Sequence, residues 1–253
     1  MKLTLSIATI FTFTLGFYTT QTIAAPLATP KSFTDWCQQK STLPPQTKHT
    51  VEVLLEKAQT QNCKQANQKL TNLTCLNLDF NEISDIKPLS SLTNLTFLSL
   101  NFNKISDIKP LSNLTNLTYL SLGSNKISDI KPLSALTKLT SLPLSLNEIS
   151  DIKPLSALTK LTFLGLNFNK ISDIKPLSAL TKLAFLNLDS NEINDIKPLS
   201  TLINLTYLDL ESNKVNNINI LSALTKFNFL IIKSNPIAPK ICPVKPESIC
   251  KFD

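Results

Sequence analysis

The stretch from Asn103 to Thr118 reads N-K-I-S-D-I-K-P-L-S-N-L-T-N-L-T, and close copies of it recur every 22 residues along the chain. The phrase D-I-K-P-L within it begins at Asp85, Asp107, Asp129, Asp151, Asp173 and Asp195, and a degraded seventh copy begins at Asn217. A fixed period of this length indicates a repeat architecture, in which each unit buries its apolar side chains against its neighbours.

Each unit has the form L-x-x-L-x-x-L-x-L-x-x-N-x-I-x-x-I-x-x-L-x-x, which is the leucine-rich-repeat pattern. The units begin at Leu70, Leu92, Leu114, Leu136, Leu158, Leu180 and Leu202, and an incomplete eighth begins at Leu224. The L-x-L pair indicates a short strand, the asparagine a turn, and the isoleucines the opposite wall of the coil. We therefore predict an α/β leucine-rich-repeat solenoid over residues 70–235, a right-handed superhelix with 3₁₀ or irregular return segments and a curved parallel sheet on its concave face.

The first residues have the pattern of an export signal. Lys2 precedes an apolar run from Leu3 to Tyr18, and the small residues that follow fit cleavage after Ala24. An uncleaved N-terminal membrane anchor is the alternative, but the run is short for a spanning helix. We predict a signal peptide at 1–24 and a protein that is secreted, periplasmic or on the cell surface.

The segments on either side of the repeats are predicted to be caps. Residues 25–69 contain apolar side chains at helical spacing, namely Val51, Leu54, Leu55 and Ala58, and residues 236–253 are rich in proline. After export, cysteines are expected to pair. The simplest scheme places one disulfide in each cap, Cys37–Cys63 and Cys242–Cys250, and leaves Cys75 as the odd thiol.

The composition argues against most enzyme chemistry. The 253 residues include 3 glycines and one histidine, His49, and all 25 basic residues are lysine, so the chain has no arginine. Glycine-rich phosphate loops, histidine-based catalysis and bidentate phosphate clamps all need residues that are scarce or absent here. We predict a non-enzymatic protein with no cofactor and no metal site.

On each predicted strand, the residues that flank the leucines point out of the concave wall. The position before the first strand leucine is aromatic in six of eight units, and acidic side chains gather after the second leucine towards the C-terminal end. The candidate partner-binding residues are Phe80, Phe97, Phe102, Tyr119, Phe163, Phe168, Phe185, Asp189, Tyr207, Asp209, Glu211 and Phe229.

Two interpretations of this aromatic stripe remain open. Exposed aromatic patches usually mark an interaction, which favours a surface for another protein and a chain that is otherwise monomeric. The rings could instead only stabilise the sheet as cross-strand neighbours. A cell-envelope structural or carbohydrate-contacting role is the alternative function, since sugars also stack on aromatic rings.

The net charge of +7 is not expected to signal nucleic-acid binding. The repeated Asp and Lys of D-I-K-P are expected to form parallel columns on the outside of the coil, solvated and mutually compensating. Because lysine alternates with acids and arginine is absent, no one-sided basic patch is predicted.

The phrase that starts at Asn103 closely resembles the 22-residue repeats of bacterial internalins and is similar to those of certain protein-phosphatase regulatory subunits. Internalins are secreted or surface proteins that bind host receptors with the concave face, often through aromatic residues. The resemblance therefore implies the same use for Phe97, Tyr119, Phe163, Phe185 and Tyr207.

Overall fold

The structure, a computed structural model, describes residues 31–253. The predicted signal peptide, at 1–24, lies outside these residues. Across the described part of the chain, no helix is both long enough and apolar enough to cross a membrane.

A single parallel sheet of nine strands runs the length of the repeats, with each strand paired to the next one along the chain. The sheet is curved and does not close on itself, which confirms the predicted leucine-rich-repeat solenoid. The strands are β1 (Cys75–Asn77), β2 (Phe97–Ser99), β3 (Tyr119–Ser121), β4 (Ser141–Pro143), β5 (Phe163–Gly165), β6 (Phe185–Asn187), β7 (Tyr207–Asp209), β8 (Phe229–Ile231) and β9 (Cys250–Lys251).

Strand pairing keeps equivalent residues of successive repeats side by side. Leu76 pairs with Leu98 and Leu98 with Leu120, and these leucines are fully or almost fully buried. Since side chains alternate across a strand, the residues between the leucines face the opposite, concave side. Side chains at the same position of successive repeats therefore form a column along the sheet.

The asparagine of each repeat closes the turn after the strand, as the sequence predicts. Asn147 Nδ2 donates to Leu122 O at 2.9 Å and to Leu144 O at 3.1 Å, and its Oδ1 accepts from Ile127 N at 3.0 Å. One side chain thus satisfies backbone groups of two adjacent repeats, which the short strands leave without partners.

The return segments on the convex side contain short 3₁₀ helices. In most repeats Pro follows Lys in the first turn, where its fixed φ suits the helix start. Their bounds are Lys87–Leu89, Lys109–Asn113, Lys131–Ala135, Lys153–Ala157, Lys175–Ala179, Lys197–Thr201 and Asn219–Ala223.

The aspartates and lysines of D-I-K-P lie in mostly exposed columns on the outside of the coil, as predicted, but the aspartates form few close ion pairs. Their carboxylates accept backbone N–H bonds instead, for example from Lys109 N to Asp107 Oδ1 at 2.8 Å. Of these Asp–Lys pairs only Asp85 and Lys87 lie within 4 Å, at 3.5 Å, among the described residues. An aspartate two residues before a turn amide closes an Asx turn, which holds the carboxylate against the backbone. That the two columns compensate each other in charge stays a prediction.

Three helices precede the sheet: α1 (Phe33–Gln38), α2 (Pro45–Ala58) and α3 (Cys63–Thr71). Phe33, Val51 and Leu54 are fully buried against the first repeats. Helix α2 also bonds directly to the first turn, because Thr50 Oγ1 donates to Asp85 O at 2.7 Å and His49 Nε2 lies 2.6 Å from Asn81 O. The helices therefore cover the apolar end of the solenoid.

Both predicted disulfides are present, and Cys75 is a free, exposed thiol. Cys37–Cys63 joins α1 to the start of α3, while Cys242–Cys250 ties the C-terminal segment to β9. A 3₁₀ turn, Glu247–Ile249, leads into β9, which pairs with β8. Where the repeat domain gives way to the flanking segments stays a prediction.

Candidate binding surface

Four columns of side chains cover the concave face. The aromatic column is Cys75, Phe97, Tyr119, Ser141, Phe163, Phe185, Tyr207 and Phe229. The central column is Asn77, Ser99, Ser121, Pro143, Gly165, Asn187, Asp209 and Ile231. The polar column is Asp79, Asn101, Gly123, Ser145, Asn167, Asp189, Glu211 and Lys233. The turn column is Phe80, Phe102, Ser124, Leu146, Phe168, Ser190, Ser212 and Ser234.

The rings of the aromatic column form two stacks. Phe97 and Tyr119 are stacked with ring centroids 4.3 Å apart. Phe163, Phe185 and Tyr207 form the second stack, with successive centroids at 4.2 and 4.3 Å, and Ser141 separates the two. These spacings are shorter than the strand separation of about 4.8 Å, as the inner side of a curved sheet requires.

The second stack ends at Phe229, whose ring is tilted by 49° against Tyr207 at a centroid distance of 6.3 Å. This ring is 53% exposed, whereas the stacked rings are half-buried. The structure thus brings the six predicted aromatic residues of this column onto one face, in two separate groups.

In the N-terminal half of the face, polar side chains bond to one another. Ser99 Oγ donates to Asp79 Oδ1 at 2.7 Å, and Asn101 Nδ2 donates to Ser99 Oγ at 2.9 Å. Ser121 Oγ continues the chain by donating to Asn101 Oδ1 at 2.6 Å. These bonds use most of the polar groups in this half, although both bonds to Asp79 end on Oδ1.

In the C-terminal half, three carboxylates lie close together without a cation. Burial raises the pKa of Asp209, which is 8% exposed, and the negative charges of Asp189 and Glu211 raise it further. A backbone N–H from Glu211, at 3.0 Å from Asp209 Oδ1, opposes this rise. Within residues 31–253 none of the three carboxylates has a lysine nitrogen within 4 Å.

Tyr207 links this acidic group to the aromatic stack. Its hydroxyl donates to Asp209 Oδ2 at 3.4 Å, and its pKa is raised by burial and then by the charge of Asp209. The buried Asp209 therefore offers little surface itself and acts mainly through its charge, while Asp189 and Glu211 are more open to a partner.

The turn column adopts a left-handed backbone at every repeat, with φ between 52° and 58°. Four of its eight members are small serines, but the other four carry bulky apolar side chains, which disfavour this conformation by about 1–2 kcal/mol. Phe80 is 72% exposed, Phe102 52%, and Leu146 and Phe168 48%. Phe80 and Phe102 stack on each other with ring centroids 4.4 Å apart. This contact offsets only part of the cost of their left-handed backbone.

Of the four columns, the central column contributed the fewest residues to the binding surface predicted from the sequence. Only Asp209 was predicted from it, although the column forms the floor between the aromatic and polar columns. Its signal in the sequence is its position between the two strand leucines, which places it on the concave side in every repeat.

The sequence profile described as "Leucine Rich repeats (2 copies)" matches residues 71–113, 115–157, 137–179 and 159–201. Internalin C2 of Listeria monocytogenes is 28% identical, with 80% of this chain and 91% of that chain covered and a TM-score of 0.72. An internalin F from the same species is 32% identical over 77% of this chain and 79% of its own, with a TM-score of 0.50.

A third solved structure shares the fold at lower identity. The ectodomain of the Arabidopsis thaliana membrane receptor kinase GASSHO1/SCHENGEN3, solved with CASPARIAN STRIP INTEGRITY FACTOR 2, is 24% identical, with a TM-score of 0.55. It is aligned over 67% of this chain and 22% of its own length. No curated protein sequence matches this chain significantly.

Proposed function

The chain is an internalin-like member of the leucine-rich repeat family, and from this premise we propose that it binds another protein across the concave face of its sheet. Stacked repeats create an extended concave surface that is generally used for binding rather than for catalysis. The aromatic column carries the proposal, because it lines that surface with half-buried rings, and aromatic side chains are the residues that most often anchor an interface.

The turn column supports the same proposal. If sheet stability alone selected these residues, serine would serve at every left-handed position, as it does at Ser124 and Ser190. Phe80, Phe102 and Phe168 instead combine an unfavourable backbone with a largely exposed ring. Such residues are typically retained for a contact that the isolated protein does not make.

We further propose that the protein works outside the cytoplasm, with residues 25–69 and 236–253 as its caps. The two disulfides support this location, because such bridges persist in oxidising compartments. The direct contacts of α2 with Asp85 and Asn81 support the capping role of the first segment.

The test compares two triple variants in affinity capture from cell-envelope and host-cell extracts. Replacing Phe163, Phe185 and Tyr207 by alanine removes the second stack, and Lys131, Lys153 and Lys175 to alanine is the matched control on the opposite side of the coil. A partner identified with the parent protein is then titrated against purified variants. We expect at least a tenfold loss of affinity for the ring variant, or about 1.4 kcal/mol, and no loss for the control.

Unchanged far-UV circular dichroism in both variants ensures that the comparison reports on the surface. A partner that binds the ring variant and the parent equally would contradict the concave-face proposal. Saturable binding to a glycan array that disappears in the ring variant would favour the carbohydrate-contacting alternative instead.

A further inference from the structure

The aromatic column has a gap one residue wide in the fourth repeat. Ser141 pairs with Tyr119 on one side and with Phe163 on the other, so it occupies the place of a ring. Tyr119 and Phe163 are two strands apart, and two steps of the 4.3 Å spacing between stacked rings correspond to about 8.6 Å. One planar group fits between them at the spacing that the protein's own rings adopt.

The floor of this gap lacks bulky side chains. Pro143 occupies the central column of the same repeat, and Gly165 follows in the next. A Cβ on Gly165 would meet no atom closer than 3.7 Å, the Cα of Pro143, so the fold does not require glycine there. The missing side chain leaves the edge of the Phe163 ring uncovered.

The fourth repeat departs from the pattern only on its concave side. Leu142, Leu144 and Ile149 keep the core positions and are fully buried. Pro143 cannot donate a backbone hydrogen bond, and between β3 and β4 only Tyr119 and Ser141 are paired. A repeat that preserves its whole core while changing its exposed face fits selection on that face.

The charge of the concave face differs from that of the whole chain. From Asp79 to Glu211 the four columns contain acids but no lysine, in a protein of net charge +7. Along the adjacent rim, Lys104, Lys170 and Lys214 are paired with glutamates at 2.8 to 3.4 Å. Lys233 and Lys251 limit the acidic region at its C-terminal end.

We propose that a basic segment of the partner protein inserts one aromatic ring between Tyr119 and Phe163, above Ser141. This inference rests on the proposed function and specifies the chemistry of the partner at the same surface. The inserted ring joins the two stacks into one continuous column. Asp189 lies two repeats beyond Ser141, and Asp209 and Glu211 lie three repeats beyond it. Positive charges on that side of the inserted ring are attracted to these carboxylates.

The decisive variant fills the gap from within the protein. Ser141→Phe supplies the missing ring, which stacks on Tyr119 and Phe163, so the variant is expected to fold and to be at least as stable as the parent. Cys75→Phe is the matched control, because it adds a ring to the same column at its outer end and leaves the gap open.

The probes are three short synthetic peptides. One has a central tryptophan flanked by two lysines on each side, the second replaces tryptophan by leucine, and the third replaces the lysines by glutamates. Titration by nuclear magnetic resonance follows the side-chain protons of each peptide. We expect the lysine–tryptophan peptide to bind at or below about 1 mM and at least tenfold more tightly than the other two. Its indole protons shift upfield, as protons between two ring faces do.

In Ser141→Phe the preference for tryptophan over leucine and the upfield shift are expected to disappear, whereas Cys75→Phe retains both. Equal affinity for the tryptophan and leucine peptides, no binding by the parent at about 1 mM, or an unchanged preference in Ser141→Phe would overturn the proposal. Concentration-dependent dimerisation of the parent that Ser141→Phe abolishes would identify a second copy as the occupant, and would equally overturn it.

The two proposals fail in different ways. If a partner protein loses affinity when Phe185 and its neighbours are replaced but binds Ser141→Phe as well as the parent, the concave face binds while the gap does not. If neither set of variants affects that partner, the concave-face proposal itself is wrong.

Discussion

The two halves of the concave face have the same backbone structure but differ in how many of their polar and charged side chains have partners within the protein. Around β2 and β3, Asp79, Ser99, Asn101 and Ser121 bond to each other beside a short stack of two rings. From β5 to β8, a longer stack lies beside carboxylates that have no lysine within 4 Å in the described chain. The same repeat thus supports a self-satisfied surface and a surface with unused charge.

This difference shows where specificity can reside in a repeat protein. The leucines and asparagines that fix the coil are equivalent in both halves, so they cannot distinguish one region from another. On the concave face, the residues between and beside the strand leucines vary, and they decide whether polar groups bond to each other or are left for a partner. Two comparisons between the halves and one variant of the acidic group test this view.

The largest loss of stability is expected for the turn asparagines, and this loss should be equal in the two halves. Asn125→Ala and Asn191→Ala each remove an acceptor for a backbone N–H at 3.0 Å and donors to two repeats. Each is expected to lower the free energy of unfolding by about 3 kcal/mol, because the backbone groups that remain lose their partners. Urea denaturation followed by circular dichroism measures both.

The control for these variants is Asn113→Ala, at an exposed position where four other repeats already carry alanine. It is expected to change stability by less than about 0.5 kcal/mol. Losses for Asn125→Ala and Asn191→Ala that differ by more than about 1 kcal/mol would show that the two halves do not share one equivalent scaffold.

A smaller loss of stability is expected for the stacked rings, and this loss should differ between the two halves. Phe185 stacks on Phe163 and on Tyr207, whereas Tyr119 stacks only on Phe97. With about 1 kcal/mol for each stacked pair, stacking should contribute about 2 kcal/mol to the loss in Phe185→Ala and about 1 kcal/mol to that in Tyr119→Ala, in addition to the lost burial of each ring. Equal losses in urea denaturation would mean that the rings act by burial alone, without a contribution from their stacking.

The smallest effect concerns the charge of Asp209. Its pKa is raised in the folded protein above the usual 3.8, mainly by burial, so the folded state binds more protons than the unfolded state just above pH 3.8. Stability therefore falls as the pH rises through that window, and the loss remains at neutral pH. Asp209→Asn keeps an oxygen for Glu211 N and removes the charge, so it should be more stable than the parent at pH 7.

The measurement is thermal denaturation of both proteins from pH 3 to pH 7, in which the advantage of Asp209→Asn should shrink as the pH falls. The pKa of Tyr207, read from its ultraviolet absorbance, should also drop towards its ordinary value in the variant, because one cause of its rise is gone. An advantage that stays constant with pH would show that the Asp209 charge is not the source.

Most of the fold follows from the sequence because the period fixes it. A 22-residue repeat with two alternating leucines determines strand, turn and stacking direction together, and it also places the aromatic column on one face. The disulfides followed from the position of the cysteines in the flanks. Helix α3 was missed because only Ala66 and Leu70 are buried in it, which is too few apolar residues to show a period.

The details of the concave face were less predictable because they depend on distances between repeats. The sequence shows that Ser141 lacks a ring, but the stacking distances are needed to recognise a gap that fits one planar group. Likewise, D-I-K-P predicts exposed columns of charge, but only the structure shows that an Asx turn directs the carboxylate of Asp107 to a backbone amide. The positive φ of Phe80 likewise cannot be read from the sequence, because it depends on the three-dimensional course of the turn.

In-register pairing has a consequence for how such a surface can evolve. Equivalent residues of the face are separated by whole numbers of repeats, and neighbouring units are nearly identical in sequence. Unequal recombination between such units duplicates or deletes one complete turn of the coil and leaves the remaining repeats unchanged. The opening between Tyr119 and Phe163 can therefore widen or close in single steps, with no intermediate that must fold with a mismatched core.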